Sequence, residues 1–240
     1  MKRYIISISL VCLTCWAVCG CSSNQKLLDK RAITHLSEKA NKGDLVAVQS
    51  LRKAGLEGNA DAQYNIGRIY YYGTGVKEDY TESIKWFWMA AEQGNADAQY
   101  LLGESYATGR GAPKNPVEAL RLFRLAAAVE KNSFYQYELA MMLSSGWEVP
   151  KDEYEALKWY RKAADNGNIW AMDWLVVDLC AENPEEAYYW AIQAKTGGSS
   201  CVQPIWFEQM EALLGSEKVN KCKRSAAASW REIQSKREAL

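Results

Sequence analysis

The chain has 240 residues, with 29 basic and 29 acidic side chains and a single histidine. This balance leaves no broad basic field, which argues against a nucleic-acid-binding protein. The length is enough to bury a sizeable core.

The amino terminus predicts a secretory leader that ends at a lipid attachment site. Lys2 and Arg3 precede an apolar run of about 15 residues, shorter than the roughly 20 that a membrane-spanning helix needs. The run ends in Val18-Cys-Gly-Cys21, which resembles the lipobox of bacterial lipoproteins. The resemblance implies that Cys21 is lipidated with several acyl chains and anchors the chain stably. An ordinary cleaved signal and an uncleaved anchor are the alternatives.

The same resemblance indicates a location. Ser22, and not Asp, follows the cysteine, which resembles sorting to the outer membrane in an enterobacterial-type cell. We therefore expect a cell-envelope lipoprotein that faces the periplasm, with a leader at 1–20 and a polar tether at 21–29. Removal of the leader leaves two more acidic than basic residues.

Three cysteines remain after the leader and the lipidation site, namely Cys180, Cys201 and Cys222. Disulfides persist outside the cytosol. Cys180 and Cys222 are expected near the same ends of their helical hairpins, so a disulfide between them is one prediction and free buried thiols are the other. The Cys12 and Cys15 pair lies in the leader and predicts no site.

Residues 30–57 predict a degenerate amino-terminal helical cap. The segment Ala40-Asn-Lys-Gly43-Asp44 echoes the segment 164–168, where a repeat ends. His35 lies in this cap, and we expect it to be a partly exposed helical residue.

Residues 58–198 predict four helical hairpins. The segment 58–64, Gly-Asn-Ala-Asp-Ala-Gln-Tyr, recurs letter for letter at 94–100. Apolar and small residues follow it at helical spacing, which predicts the first helix of each hairpin. The aligned positions, at steps of 36, 37 and 36 residues, are Ala62, Ala98, Tyr135 and Ala171.

Each second helix carries a start signal. Asx-x-x-Glu occurs at 79–82, 115–118, 152–155 and 183–186, and this spacing is typical of a capping box. Glycines at the hairpin bends are predicted to end the first helices. The fourth hairpin is shorter and lacks this bend. A last hairpin, from Pro204 to Leu214 and from Glu217 to about Lys236, forms the predicted carboxy-terminal cap 199–240.

Together these motifs resemble the Sel1-like repeat, a relative of the tetratricopeptide repeat. The pattern is Ala-Gln-Tyr-x-x-Gly-x-x-Tyr-x-x-Gly-x-Gly-Val, then Ala-x-x-Trp-Tyr-x-x-Ala-Ala-x-x-Gly. Residues 58–93 carry nearly all of it, and 131–166 have Ala140 in place of the first glycine. The resemblance implies an all-α fold, a right-handed α/α solenoid of stacked antiparallel helix pairs. It also implies a protein-binding scaffold.

The sequence gives little support for an enzyme. No His, Cys and Asp cluster has metal-ligand spacing, so no catalytic residue, metal, cofactor or small-molecule substrate is predicted. Ser50-x-x-Lys53 and Lys195-Thr-Gly197 match two β-lactamase motifs, and some Sel1-like proteins have been proposed to act on β-lactams. Those motifs require a mixed sheet, so a β-lactam-interacting hydrolase is a remote alternative.

In tetratricopeptide-type solenoids the first helices line the concave side, so the residues between their packing positions are predicted to line a partner-binding groove. These positions vary between repeats, as selective recognition requires, although packing between repeats could equally explain any single one. Trp88, Trp147 and Trp170 fall outside the repeat pattern and are predicted to be exposed anchors. The predicted groove residues are Asn65, Arg68, Tyr72, Leu101, Glu104, Ser105, Glu138, Met141, Trp174 and Asp178.

Two functional hypotheses follow. The first is a membrane-anchored periplasmic scaffold that binds a protein partner. The second rests on resemblance alone, because Sel1-like lipoproteins resemble immunity proteins encoded beside phospholipase effectors of the type VI secretion system. For such an inhibitor, Arg68, Tyr72 and Trp174 are the predicted hot spot.

Overall fold

The structure is a computed structural model that describes residues 29–129 and 132–238. The predicted leader, Cys21 and all of the tether except Asp29 lie outside the described residues. Within the described ranges the chain forms twelve α-helices and no strand, which confirms the all-α fold of helix pairs. The helices are α1 (Lys30–Asn41), α2 (Leu45–Leu56), α3 (Ala60–Tyr72), α4 (Tyr80–Glu92), α5 (Ala96–Thr108), α6 (Pro116–Ala128), α7 (Ser133–Ser145), α8 (Glu153–Asp165), α9 (Ile169–Leu179), α10 (Pro184–Thr196), α11 (Pro204–Leu214) and α12 (Ser216–Glu238).

The chain divides into two compact units, the first of which ends at Glu78. Helices α1, α2 and α3 of this unit pack on one another, with Ile33, Leu51 and Ile66 buried. The predicted cap is thus a regular helix pair. His35 is exposed on α1, in line with its expected place on the surface of a helix.

The second unit begins at Asp79 and contains α4 to α12. Its helices pair as hairpins, α5 with α6, α7 with α8 and α9 with α10, and each hairpin packs on the next through α6 with α7 and α8 with α9. One large hydrophobic cluster extends from Ala107 to Ile233. Small alanines alternate in it with buried rings such as Phe123 and Tyr160, because a ring fills the space that its small neighbours leave.

The four predicted capping residues all cap the second helices. Asp79, Asn115, Asp152 and Asn183 each accept a hydrogen bond from the backbone N–H of the glutamate three residues on. Such a cap satisfies a donor that has no partner within the helix. The start of every second helix is therefore determined locally.

Glycines allow the close approaches that the hairpins require. Gly109 ends α5 in the left-handed conformation, at φ of 83°, where glycine avoids the strain that a Cβ would cause. Gly103 lies inside α5, and a Cβ there would be 2.7 Å from the ring of Phe123 on α6. A small residue at this position of α5 therefore lets α6 approach closely.

A buried glutamine ties each of three first helices to the helix before it. Nε2 of Gln63, Gln99 and Gln136 donates to the backbone carbonyls of Gly55, Ala91 and Ala127, respectively. Those carbonyls lie in the last turn of a helix and lack an intrahelical donor. At each of these three sites the glutamine thus adds a side-chain donor to the end of the preceding helix.

The disulfide predicted between Cys180 and Cys222 is absent from the described structure. Cys180, Cys201 and Cys222 are free thiols, with Cys180 and Cys201 exposed. Cys222 is buried in a small cluster with Tyr188, Met210 and Val219, so the Cys180–Cys222 disulfide is not formed. The two thiols occupy different surroundings, because Cys180 follows α9 at the surface while α12 directs Cys222 inward. The prediction that free thiols would all be buried is also wrong.

Candidate protein-binding surface

Three of the predicted groove residues, Asn65, Arg68 and Tyr72, belong to the first unit and lie on α3. Asn65 is held inside the unit, because its amide donates to the Asp61 carbonyl at 2.7 Å and accepts from Ser37 Oγ at 2.6 Å. The Arg68 guanidinium lies 5.6 and 6.0 Å from the ring centroids of Tyr64 and Tyr72. Tyr72 is exposed. Arg68 and Tyr72 are therefore available to a partner, whereas Asn65 has a structural role.

In the second unit, two predicted groove residues on α5 are buried. Ser105 has no exposed surface, and its hydroxyl donates to the carbonyl of Leu101, which is itself 8% exposed. The prediction that they line an open groove is wrong. A first helix packs against both its own partner and the preceding hairpin, so two of its sides are buried. Glu104, which directly precedes Ser105, is half-buried.

Glu138 lies on α7 near an aromatic cluster. Burial raises the pKa of its carboxyl, against the effect of the Tyr100 hydroxyl, which hydrogen-bonds to it at 3.4 Å. The Tyr100 ring lies 4.9 Å from that of Tyr135, whose hydroxyl donates to Asp97. The Glu138 carboxyl therefore contributes to the contact between α5 and α7.

Two positions of the repeat place apolar side chains on the surface of the second unit. In α7 they hold Phe134 and Met141, and in α9 they hold Trp170 and Val177, all four of which are exposed. The equivalent residues of α5, Asp97 and Glu104, are acidic. We call the four side chains Phe134, Met141, Trp170 and Val177 the apolar face.

The apolar face is widest on α9. Trp170 is 63% exposed and Val177 is 75% exposed, while Leu175 and Val176 on the other sides of the helix are buried. Helix α11, the first helix of the following hairpin, packs mainly on α10 and α12. This arrangement leaves one side of α9 open. The predicted exposure of Trp170, and likewise of Trp88 and Trp147, is confirmed.

Trp174 and Asp178 border the apolar face on α9. The Trp174 ring stacks on that of Tyr160 at 3.8 Å between centroids and 16° between planes. Asp178 is exposed, and its pKa is raised by partial burial and by the nearby carboxylates of Glu182 and Glu153. Tyr160 and Glu182 also neighbour this site. Neither was predicted there from the sequence, although the short fourth bend that brings Glu182 close was visible in it.

The chemical motifs noted in the sequence have ordinary helical surroundings. Ser50 Oγ donates to the carbonyl of Val46 at 2.8 Å, which directs its proton to its own helix. Lys195 lies in the last turn of α10 with its ammonium 4.8 Å from the Phe207 ring centroid. Within the described parts of the chain, no group of His, Cys, Asp and Glu is arranged to hold a metal ion. None of the described helices is long and apolar enough to cross a membrane.

Stacked helix pairs with buried small and aromatic residues define an α/α repeat solenoid, a class that typically serves as a scaffold for protein–protein interaction. The model of the Sel1 repeat family matches residues 60–95, 96–128, 133–168 and 178–199, more than half of the chain. The chain therefore belongs to the Sel1 repeat family, whose members are generally non-catalytic scaffolds.

One solved structure supports this assignment. The chain is similar to a Sel1 repeat protein from Oxalobacter formigenes, with a TM-score of 0.59 and 25% identity over 88% of this chain and 87% of that one. A protective antigen of uropathogenic Escherichia coli strains, with an SLR fold, is 25% identical over 82% of this chain and 53% of its own, at a TM-score of 0.40. The Pseudomonas aeruginosa protein 5086 is 16% identical over 86% of this chain and 83% of its own, at a TM-score of 0.44. No curated protein sequence matches the chain.

Proposed function

We propose that this chain is a lipid-anchored protein of the bacterial envelope that binds a protein partner through the first helices of its repeats. The observation that carries the proposal is the apolar face. Large apolar side chains are normally buried, yet α9 keeps Trp170 and Val177 exposed. Phe134 and Trp170 line the same surface depression. Exposed apolar side chains that lie together mark interaction sites, and Trp and Met are enriched in interfaces.

The proposal is tested by capture of the partner from envelope extracts with the purified chain, followed by a binding titration with that purified partner. Trp170→Ser/Val177→Ser removes the apolar face of α9 at two exposed positions, where substitution is tolerated. Val117→Ser/Leu213→Ser is a matched control, because both residues are exposed elsewhere in the second unit. We expect the control to bind as the wild type does and the α9 variant to bind at least about tenfold more weakly. Equal binding by both variants would contradict the proposal.

Membrane attachment is a separate part of the proposal, supported by the lipobox-like residues that end at Cys21. A Cys21→Ala variant should lose palmitate labelling and move from the membrane fraction to the released fraction. Cys201→Ala, at an exposed thiol of the folded part, should change neither. Labelling that survives Cys21→Ala would contradict lipid attachment at this residue.

A narrower form of the proposal makes the partner a phospholipase effector of the type VI secretion system. It is favoured by the combination of Sel1 repeats with a lipobox-like motif, which would hold the protein beside the membrane that such a toxin attacks. A strain without this gene should then be killed by effector-competent sister cells, and protection should return with the wild-type chain but not with Trp170→Ser/Val177→Ser. Survival of the deletion strain would contradict the proposal of a phospholipase partner but would be compatible with the scaffold proposal.

A further inference from the structure

A cavity of about 390 Å³ lies beside the apolar face, between the α7–α8 hairpin and α9. Its walls include Tyr154, Leu157 and Trp174. Three carboxylates also line it, those of Glu153, Asp178 and Glu182. No basic side chain is among its lining residues in the described structure. We call it the acidic–aromatic pocket.

The pocket keeps an excess of negative charge. Glu153 pairs with Lys151 at 2.6 Å, but Asp178 and Glu182 have no such ion pair among the described residues. The Arg161 guanidinium, which acts electrostatically on Asp178, is held by both carboxylate oxygens of Glu186 at 2.8 and 3.0 Å. The pKa of Asp178 is raised by partial burial and by Glu182 and Glu153, even though Arg161 acts in the opposite direction.

The aromatic wall fits a planar cation. Tyr160 covers one face of the Trp174 ring, and Trp174, which is half-buried, also lines the pocket. Guanidinium groups stack on aromatic rings while their N–H groups bind carboxylates, and an ammonium lacks this flat geometry. The Tyr154 ring already attracts a cation of this chain, because Lys158 Nζ lies 4.0 Å from its centroid.

We propose that the acidic–aromatic pocket receives an arginine side chain of the protein partner, stacked on Trp174 and hydrogen-bonded to Asp178 and Glu182. The inference rests on the proposed function and adds the chemistry that the partner must present. The partner would place apolar side chains on the apolar face and an arginine beside them. Buried interface charges of this kind contribute chiefly to specificity.

The probe is a fluorescein-labelled heptapeptide, Gly-Ser-Ala-Arg-Ala-Ser-Gly, and its counterpart with citrulline, a neutral side chain of nearly the same shape. Fluorescence anisotropy gives the affinity of each peptide, and the indole N–H resonance of Trp174, assigned with Trp174→Phe, reports where it binds. The wild type should bind the arginine peptide at least fivefold more tightly than the citrulline peptide, and that peptide should shift the Trp174 resonance.

Asp178→Asn/Glu182→Gln should lose this preference. Glu92→Gln/Glu208→Gln removes the same charge from two exposed sites outside the pocket and should keep it. Equal affinity for both peptides, an unmoved Trp174 resonance, or the same loss in the control variant would each overturn the proposal. If the wild type shows no preference for the arginine peptide while Trp170→Ser/Val177→Ser still weakens partner binding, the pocket assignment fails and the proposed function stands.

Discussion

Gly103 shows how a single side chain sets the distance between two helices. A Cβ at this position would lie 2.7 Å from the Phe123 ring and 3.3 Å from the Ala119 carbonyl oxygen. Phe123 is buried in the core cluster and cannot move aside freely. The hairpin of α5 and α6 is therefore built around the missing side chain.

The change that Gly103→Ala causes in the free energy of unfolding shows, by its sign, whether the close approach constrains the helices. Without the close approach, the substitution would stabilise the protein by up to about 1 kcal/mol, because alanine favours helix over glycine. Overpacking costs roughly 1–3 kcal/mol, so we expect a net loss in the free energy of unfolding in urea. Ala140→Gly, at the equivalent position of α7, should lose only the helix propensity. A more stable Gly103→Ala protein would show that the helices can separate easily.

The roles of the repeated residues could be predicted from the sequence, whereas the burial of the varying residues could be predicted only in part, as for the exposed Trp88, Trp147 and Trp170. Asx-x-x-Glu has one local meaning, a helix cap, and all four copies form it. Burial at variable positions depends on neighbours a repeat away. Ser105 and Asp178 occupy the same position of the repeat, yet the first is buried and the second exposed, since α9 is open on a side where α5 is covered.

At the scale of whole helices, arginines connect successive second helices of the second unit. Arg124 on α6 binds Glu155 at the start of α8 with two hydrogen bonds, of 2.8 and 2.5 Å. Arg161 on α8 binds Glu186 at the start of α10 in the same way. The glutamates were predicted only as parts of helix caps. Their second role needs the positions of neighbouring helices, which local spacing does not provide.

The pair of Arg161 and Glu186 should stabilise the fold modestly and only above acidic pH. Burial acts to raise the pKa of Glu186, but hydrogen bonds from Arg161, Trp190 and Asn183 outweigh it and lower the pKa. A carboxyl with a lowered pKa contributes stability above its unfolded value, about 4.3, and that contribution is lost as the pH falls through the folded value.

A double-mutant cycle of Arg161→Ala and Glu186→Gln should give a coupling of about 0.5–1 kcal/mol at pH 7, as for partly exposed pairs, and a smaller one near pH 3. The control cycle, Lys151→Ala with Glu153→Gln, concerns a pair whose side chains are 57% and 75% exposed. It should give almost no coupling. A coupling at pH 7 that persists unchanged in acid would show that the contact is not ionic.

For the whole molecule, the repeat pattern predicted the order of the helices but not which surfaces stay open. The short fourth bend was visible in the sequence, and so was the last hairpin. The consequence, that α11 packs mainly on α10 and α12 and leaves α9 exposed, depends on how helices pack across the end of the array. A candidate site at the end of a repeat array is therefore harder to predict than one in its middle.

Stability should also vary along the second unit, because each hairpin of a repeat array is stabilised chiefly by its neighbours. Helices α7 and α8 bury residues in the large cluster on both sides. Helix α11 has Met210 as its one buried residue among those described, and its first residue, Pro204, follows a Gln203 side chain that makes no capping hydrogen bond. Local opening is easiest where few apolar contacts must break.

We therefore expect amides of α11 to exchange with solvent deuterium at least about tenfold faster than those of α7 and α8, in native conditions without denaturant. Met210→Ala should accelerate exchange in α11 and leave α7 unchanged, since its contacts are with Tyr188, Val219 and Cys222. Leu213→Ala, at an exposed site of the same helix, is the matched control and should have little effect. Uniform protection across α7, α8 and α11 would mean that the second unit opens as one cooperative block.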